Sequence, residues 1–463
     1  MHLFLIGAGH VGLVTAAGLA RLGHRLTVAD IDEARIAGLR KSVPPVFEPG
    51  LQEALAGSAA AGRLEFTTDL RPPAACAFSI VAVSTPTGPD GPLSMANVVR
   101  VVDALLAATG ADHTIVVRST LPIDGPARLL ALRGDGGDRA AIVTNPEFMR
   151  EGSALRDFDR PDRLVAGWLA PRDQAAAEAV LDLYAGLDAP RLIADARSIA
   201  LMKLATNVFL ATKVAYANEL ARICDVVGAD VDTVADGIGL DPRIGRSFLT
   251  AGPGFGGSCL PEQSVALSLM SAASGVPTPL IEAISRSNET HQRAIVTRLA
   301  SLLASTRVAV AAASVGATRR ASEPATPSEA GHDHQAGGDL SGYRIALLGL
   351  AFKANTDDVR ESPALSIARY LREAGATVVG TDPRAIAKAR AADPELLTAD
   401  TVEATVQDAD AVLVTTEWVD FTGLDWVDLS GRMAGDLVYD TRDVVAGEQV
   451  RAAGLRYASL GRG

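Results

Sequence analysis

Cysteine is scarce, with only Cys76, Cys224 and Cys259 in 463 residues. An odd number at unrelated spacings excludes a disulfide framework and a four-thiolate zinc site, and it suits the reducing cytoplasm. Lysine is also rare. Five (Lys41, Lys203, Lys213, Lys353 and Lys388) stand against thirty-eight arginines, so each one carries information. Positive charge is short overall. The net charge of −12 excludes a nucleic-acid partner, which needs a basic surface to neutralise phosphates. Long apolar runs are missing as well. Met1–Leu22 lacks a basic start and is interrupted by Gly7, Gly9 and Gly12, unlike a secretory signal. Val308–Ala317 is too short to cross a bilayer. The expectation is a chain with no membrane partner that stays where it is made.

What is present is a large apolar content: 48% hydrophobic against 21% charged residues, which excludes a disordered chain. At roughly 150 residues per domain, the length predicts about three domains. Strand runs at Leu3–Ile6, Arg25–Ala29, Phe78–Val83, Thr114–Arg118, Ala141–Thr144 and Arg163–Gly167 alternate with helical patterns. Such alternation predicts a parallel sheet covered on both faces. From about Ser198 to Leu303 the pattern turns helical, with Asn207, Leu210, Ala211, Val214, Asn218 and Ala221 at helical spacing. Ser305–Ser341 is low in complexity and reads as a flexible linker. Its His332 and His334 sit in this low-complexity stretch and read as solvated, so no metal site is expected. Runs at Arg344–Leu348, Thr377–Gly380, Ala411–Thr415 and Leu437–Asp440 then open a second strand–helix series. The predicted class is α/β: two doubly wound, Rossmann-like parallel-sheet domains joined by a central helical domain.

The clearest local signal is Gly7-x-Gly9-x-x-Gly12 between the first strand and a helix. The first glycine makes a tight turn, and the second admits a pyrophosphate past Val11 and its neighbours. The third lets the helix pack closely, with its N-terminus facing the negative charge. Asp30 ends the next strand and can accept hydrogen bonds from ribose hydroxyls. An acid there selects NAD over NADP. Arg35 is placed to touch the adenosine ribose.

Three further motifs carry a family resemblance. Asn145-Pro146-Glu147-Phe148-Met149-Arg150-Glu151-Gly152, Gly254-Phe255-Gly256-Gly257-Ser258-Cys259, and Gly349-Leu350-Ala351-Phe352-Lys353 through Ser362 resemble signatures of the UDP-glucose/GDP-mannose dehydrogenase family. The resemblance implies two successive oxidations of a nucleotide sugar at C6, using two NAD⁺, with Cys259 forming a thiohemiacetal and then a thioester. It divides the chain into an NAD-binding part (1–197), a helical part with the cysteine loop and dimer contacts (198–304), the linker (305–341) and a nucleotide-sugar-binding part (342–463).

The same resemblance assigns residues. Cys259 is the nucleophile, a natural role for a thiolate facing an aldehyde. Lys203 and Asn207, four apart on a helix, share one face and stabilise an oxyanion while touching substrate. Glu147 activates the hydrolytic water, Glu151 lies by the nicotinamide, and Thr120 holds water or cofactor. Thr85 and Arg360 contact NAD. Phe148, Met149, Arg150 and Glu151, together with Phe248, Leu249, Gly252 and Gly256, line the nucleotide sugar. Lys353 binds it, and Arg442 lies near its diphosphate. Arg243 reaches the substrate of a partner subunit, which requires a homodimer or larger homo-oligomer.

One departure stands out. The family continues its cysteine loop as Cys-x-Pro-Lys-Asp, whereas this chain reads Cys259-Leu260-Pro261-Glu262-Gln263. Glu262 reverses a charge, and Gln263 can position water but cannot take its proton. UDP-glucose is the first-ranked substrate, with dTDP-glucose and GDP-mannose as alternatives. A nucleotide-sugar binder with impaired catalysis is the other reading of Glu262-Gln263. A dehydrogenase that stops after one oxidation has no use for Cys259.

Overall fold

The computed structural model describes residues 1–88, 91–134, 139–315 and 338–462. His332 and His334 lie outside the described residues, as does most of the stretch read as a linker. The chain divides into two compact units. The first holds Met1–Leu210, Cys259–Glu282 and Asn355–Asp357, and the second Ala211–Ser258, Ala283–Ala354 and Asp358–Gly463. The helical stretch between the two sheets is therefore shared out, because its long helices contribute to both cores.

Unit 1 is built on an eight-stranded sheet. Its strands are β1 (His2–Ile6), β2 (Arg25–Ala29), β3 (Leu64–Thr67), β4 (Phe78–Val81), β5 (Thr114–Val117), β6 (Ala141–Thr144), β7 (Leu164–Trp168) and β8 (Arg191–Asp195). The order is β3-β2-β1-β4-β5-β6-β7-β8. All pairs are parallel except β6 with β7, which is antiparallel. The central strands are apolar on both faces because helices cover both sides, one core gathering around Leu5, Leu13 and Val28 and the other around Phe4, Val98 and Ile115. The chain reverses its winding between β1 and β4, and that switch opens a crevice at the carboxyl ends of the strands.

Unit 2 repeats the plan with six parallel strands: β9 (Arg344–Leu348), β10 (Thr377–Thr381), β11 (Leu397–Thr398), β12 (Ala411–Val414), β13 (Leu437–Asp440) and β14 (Arg456–Ser459). Their order is β11-β10-β9-β12-β13-β14. The anticipated α/β class with two doubly wound sheets is thus observed.

In chain order, four main helices come after β8 and before β9: Ala196–Val227, Val231–Gly239, Cys259–Ala273 and Pro279–Val315. The last carries the backbone ten residues past Ser305, so the linker reading began too early. An Ala-rich sequence has high helix propensity and continues a helix already nucleated. Among the described residues one helix, Ala196–Val227, is long and apolar enough to cross a bilayer by length and composition. Its Lys203 and Asn207 are buried and hydrogen-bonded within unit 1, which marks a core helix.

Candidate functional site

The dinucleotide corner of unit 1 has the geometry its glycines require. Gly7 leaves β1 at φ +107°, and a Cβ there would stand 2.5 Å from the Ala82 carbonyl oxygen. A Cβ on Gly12 would stand 1.8 Å from the Gly7 carbonyl oxygen, so only glycine lets the helix His10–Arg21 start this close to the sheet. Nothing lies within 4 Å of a Cβ on Gly9, which leaves space at the helix N-terminus. Val11 lies in the first turn of the same helix. Open space beside unpaired helix N–H groups suits a pyrophosphate. Asp30 closes the corner from the end of β2. Its Oδ2 accepts the Ala8 N–H at 2.8 Å and Arg35 Nη1 at 2.8 Å, while Oδ1 accepts the Asp32 N–H at 3.0 Å. Arg35 therefore sits on Asp30 itself. Thr85 follows β4 and Thr120 follows β5, both at carboxyl ends of strands and half-buried.

The segment after β6 carries the next group. Glu147 is buried, and Lys203 donates to its carbonyl oxygen at 2.6 Å and to its Oε1 at 3.3 Å. Glu147 Oε2 also accepts the Met149 N–H at 2.6 Å. Burial opposes the charged carboxylate, but Lys203, Arg118 and the Met149 N–H outweigh it and hold its pKa below the usual 4.5. Lys203 lies 5.0 Å from the Phe148 ring centre, and the Arg163 guanidinium 3.8 Å from it. Glu147 and Glu151, though four apart, do not share a helix face, because the chain is irregular there. Arg150 is exposed and pairs with Asp157.

One turn along the same helix, Asn207 donates Nδ2–H to Gln263 Oε1 at 2.9 Å. Gln263 is buried, four residues after Cys259 on the helix Cys259–Ala273, so both fall on one helix face. That helix is held by Leu93, Leu204 and Ala266. Cys259 is exposed at its N-terminal end, while Cys76 and Cys224 are buried. Glu262 is half-buried and accepts a hydrogen bond from Thr87 Oγ1 at 3.2 Å.

Unit 2 groups a second set. A Cβ on Gly252 would meet Arg442 Nη1 at 2.8 Å, and one on Gly257 the Phe352 ring at 2.9 Å. A Cβ on Gly256 would stand 2.3 Å from the Glu361 carbonyl oxygen. Arg442 donates Nη2–H to the Phe352 carbonyl at 3.3 Å and pairs with Glu417 at 3.0 Å. Lys353 lies 5.3 Å from the Phe352 ring centre. Arg360 pairs with Asp358, and its carbonyl accepts the Gly257 N–H at 3.0 Å. Leu249 is buried, and Phe248 has φ +64°. Arg243 is exposed and pairs with its neighbour Asp241.

Sequence reasoning missed the residues that hold these segments in place. Glu48 is buried and accepts the Gly152 N–H at 2.7 Å, the Ala154 N–H at 2.8 Å and a hydrogen bond from His10 at 2.7 Å. Arg118 bonds to Thr15, Asn145 and Tyr184. An arginine directly after an apolar strand was the one visible sign. No cluster of three metal-ligating side chains occurs among the described residues.

Family models agree with this geometry along the chain. Residues 1–188 match the NAD binding domain of the UDP-glucose/GDP-mannose dehydrogenase family, residues 197–290 its central domain, and residues 346–447 its UDP binding domain. A UDP-glucose 6-dehydrogenase of Rhizobium meliloti is 37% identical over 470 residues, covering all of both chains. One from Bacillus subtilis is 36% identical, covering 99% of this chain and 92% of its own. The structure of a UDP-glucose dehydrogenase from Pyrobaculum islandicum superposes with a TM-score of 0.81 at 35% identity, covering 99% of this chain and 96% of its own.

Glycine corner, the acid at the end of β2, the doubly wound sheet and the family match together define an NAD-dependent dehydrogenase. The chain belongs to the UDP-glucose/GDP-mannose dehydrogenase family, and its substrate class is the nucleotide sugar.

Proposed function

We propose that this protein oxidises UDP-glucose to UDP-glucuronate in two steps, four electrons in all. The observation that carries the reading is Cys259 on one helix face with Gln263, which in turn bonds to Asn207 beside the buried Lys203–Glu147 pair. NAD⁺, held at the glycine corner by Gly7, Gly9, Gly12 and Asp30, would supply the hydride acceptor for each oxidation. In the first step the C6 alcohol loses a hydride and a proton and becomes an aldehyde. Cys259 adds its thiolate to that carbon, and Lys203 and Asn207 stabilise the oxyanion. Loss of a second hydride from the thiohemiacetal gives a thioester. Water, activated by Glu147 and oriented by Gln263, then releases the carboxylate and restores the thiol. Glu147 suits this role because it is held ionised by Lys203 and Arg118.

Within this reading, Thr120 and Glu151 serve the nicotinamide end of NAD, and Thr85, Asp30 and Arg35 serve the rest. Lys353 and Arg442 supply cations for the diphosphate in unit 2, and Arg360 a further cation for NAD. The chain works in the cytoplasm as a homodimer or larger homo-oligomer. An apolar stripe supports the second copy: Phe209, Tyr216 and Ile223, seven apart, and Val226 and Val227 are all more than half exposed on one helix.

Counting NADH formed per sugar, with UDP-, dTDP- and GDP-sugars offered alongside NAD⁺ or NADP⁺, tests the proposal. Two NADH per UDP-glucose is the expected result. One NADH per sugar means a single oxidation, and none means a binder.

A further inference from the structure

The loop Gly252–Gly257 owes its shape to three side chains on two helices of unit 2. Asn218, on Ala196–Val227, accepts the Gly252 N–H through Oδ1 at 2.9 Å. His291, on Pro279–Val315, donates Nε2–H to the Gly252 carbonyl at 2.7 Å. Asn288, nearly one turn earlier, engages both polar groups of Phe255: Oδ1 accepts its N–H at 2.9 Å and Nδ2 donates to its carbonyl at 3.0 Å. There is no slack between loop and helix. A Cβ on Gly254 would lie 2.7 Å from Asn288 Oδ1 and 3.1 Å from Gln292 Nε2.

His291 is fully buried. A carbonyl can only accept, so its Nε2 carries the hydrogen. Burial pushes its pKa down to about 3, the Arg222 charge adds to that, and the bond to Gly252 opposes it. The imidazole is neutral wherever the protein works, and its grip does not change with pH.

We propose that Asn218, Asn288 and His291 are positioning residues that hold the Gly252–Gly257 backbone in its nucleotide-sugar-binding form before the substrate arrives. This rests on the reading of that loop as substrate-lining. A loop already ordered loses little conformational entropy on binding, so the gain appears in affinity. Asn288 and His291 lie three apart on the helix, which puts both on the face toward the loop.

The test is substitution at His291 with ligand affinity as the readout. His291→Leu removes the donor while keeping bulk, and His291→Gln keeps an amide N–H near the Nε2 position. The Leu variant is expected to raise KM for UDP-glucose about tenfold or more, one unsatisfied buried carbonyl being enough for that. Its NADH affinity, set mainly by the glycine corner and Asp30 of unit 1, stays within about twofold of the parent, and the Gln variant recovers most of the KM loss. An unchanged KM in the Leu variant overturns the proposal, and so does a Gln variant no better than Leu. Should His291→Leu fail to fold, Asn288→Ser, which cannot make both bonds to Phe255, carries the same comparison. Calorimetric titration of UDP into the same variants separates failure here from failure of the proposed activity: a parent that binds UDP but oxidises no sugar sinks only the latter. Equal UDP affinity in parent and variants sinks the positioning role.

Discussion

Asn207 and Gln263 meet through one hydrogen bond, Nδ2–H to Oε1 at 2.9 Å, with both side chains buried. The bond needs only an acceptor at position 263, and a carboxylate would supply it equally well. The amide keeps the geometry and gives up the base.

Gln263→Glu, which exchanges an amide nitrogen for an oxygen, is therefore expected to raise kcat about tenfold, since a positioned general base contributes about 10²–10⁴-fold. Steady-state turnover checks this. Intact-mass measurement of the parent during turnover should show a sugar covalently held on Cys259, and less of it in the variant. A fall in kcat instead would mean that the amide itself is required.

Lys203 and Glu147 stand or fall as a pair. Lys203→Ala leaves a buried carboxylate without its cation and should cost about 3–5 kcal/mol, read from urea unfolding. Lys203→Met combined with Glu147→Gln should recover most of that stability while staying inactive. Glu147 has a depressed pKa, so its contribution is present above the unfolded value of 4.5 and is lost as pH falls through the folded one.

His10 has the opposite sign. Burial disfavours its charged form, but the Glu48 hydrogen bond and the charges of Glu151, Glu48 and Glu147 outweigh burial and raise its pKa above 6.5. Its stabilisation is complete below 6.5 and disappears as pH climbs through the raised folded value. Thermal melts from pH of about 6 to about 9 should show that alkaline decline in the parent and a flatter profile in His10→Gln. Parallel profiles would mean the pair does not titrate.

Gly12→Ala would place its methyl 1.8 Å from the Gly7 carbonyl oxygen. The helix must shift outward, at a cost of about 1–3 kcal/mol from overpacking. NADH fluorescence titration should show at least a tenfold loss of affinity, that being about 1.4 kcal/mol. Unchanged binding would mean the pyrophosphate sits elsewhere.

Ile223→Glu with Val226→Lys puts charge on the exposed stripe of Ala196–Val227. Light scattering should report monomers for the double variant and a dimer or larger species for the parent.

The central strands were legible because helices bury both faces, which leaves unbroken apolar runs such as Phe4–Ile6 and Ala411–Val414. β3, β8, β11 and β14 were not. They are edge strands, short and half-exposed. The glycine corner could be read because its parts lie within six residues. Glu48 could not be, because its three partners come from helix residue 10 and from residues 152 and 154.

By itself the chain's order determined the class, two sheet units and a dinucleotide turn, since these depend on local spacing and on which runs must leave water. It also put Lys203 and Asn207 one turn apart. Only the tertiary structure decided what each of them faces: Lys203 the backbone and carboxylate of Glu147, and Asn207 the amide of Gln263. A buried polar group must find its partner wherever the fold brings one within 3 Å or so, and that neighbour is set by packing across 56 residues of sequence rather than by spacing along it.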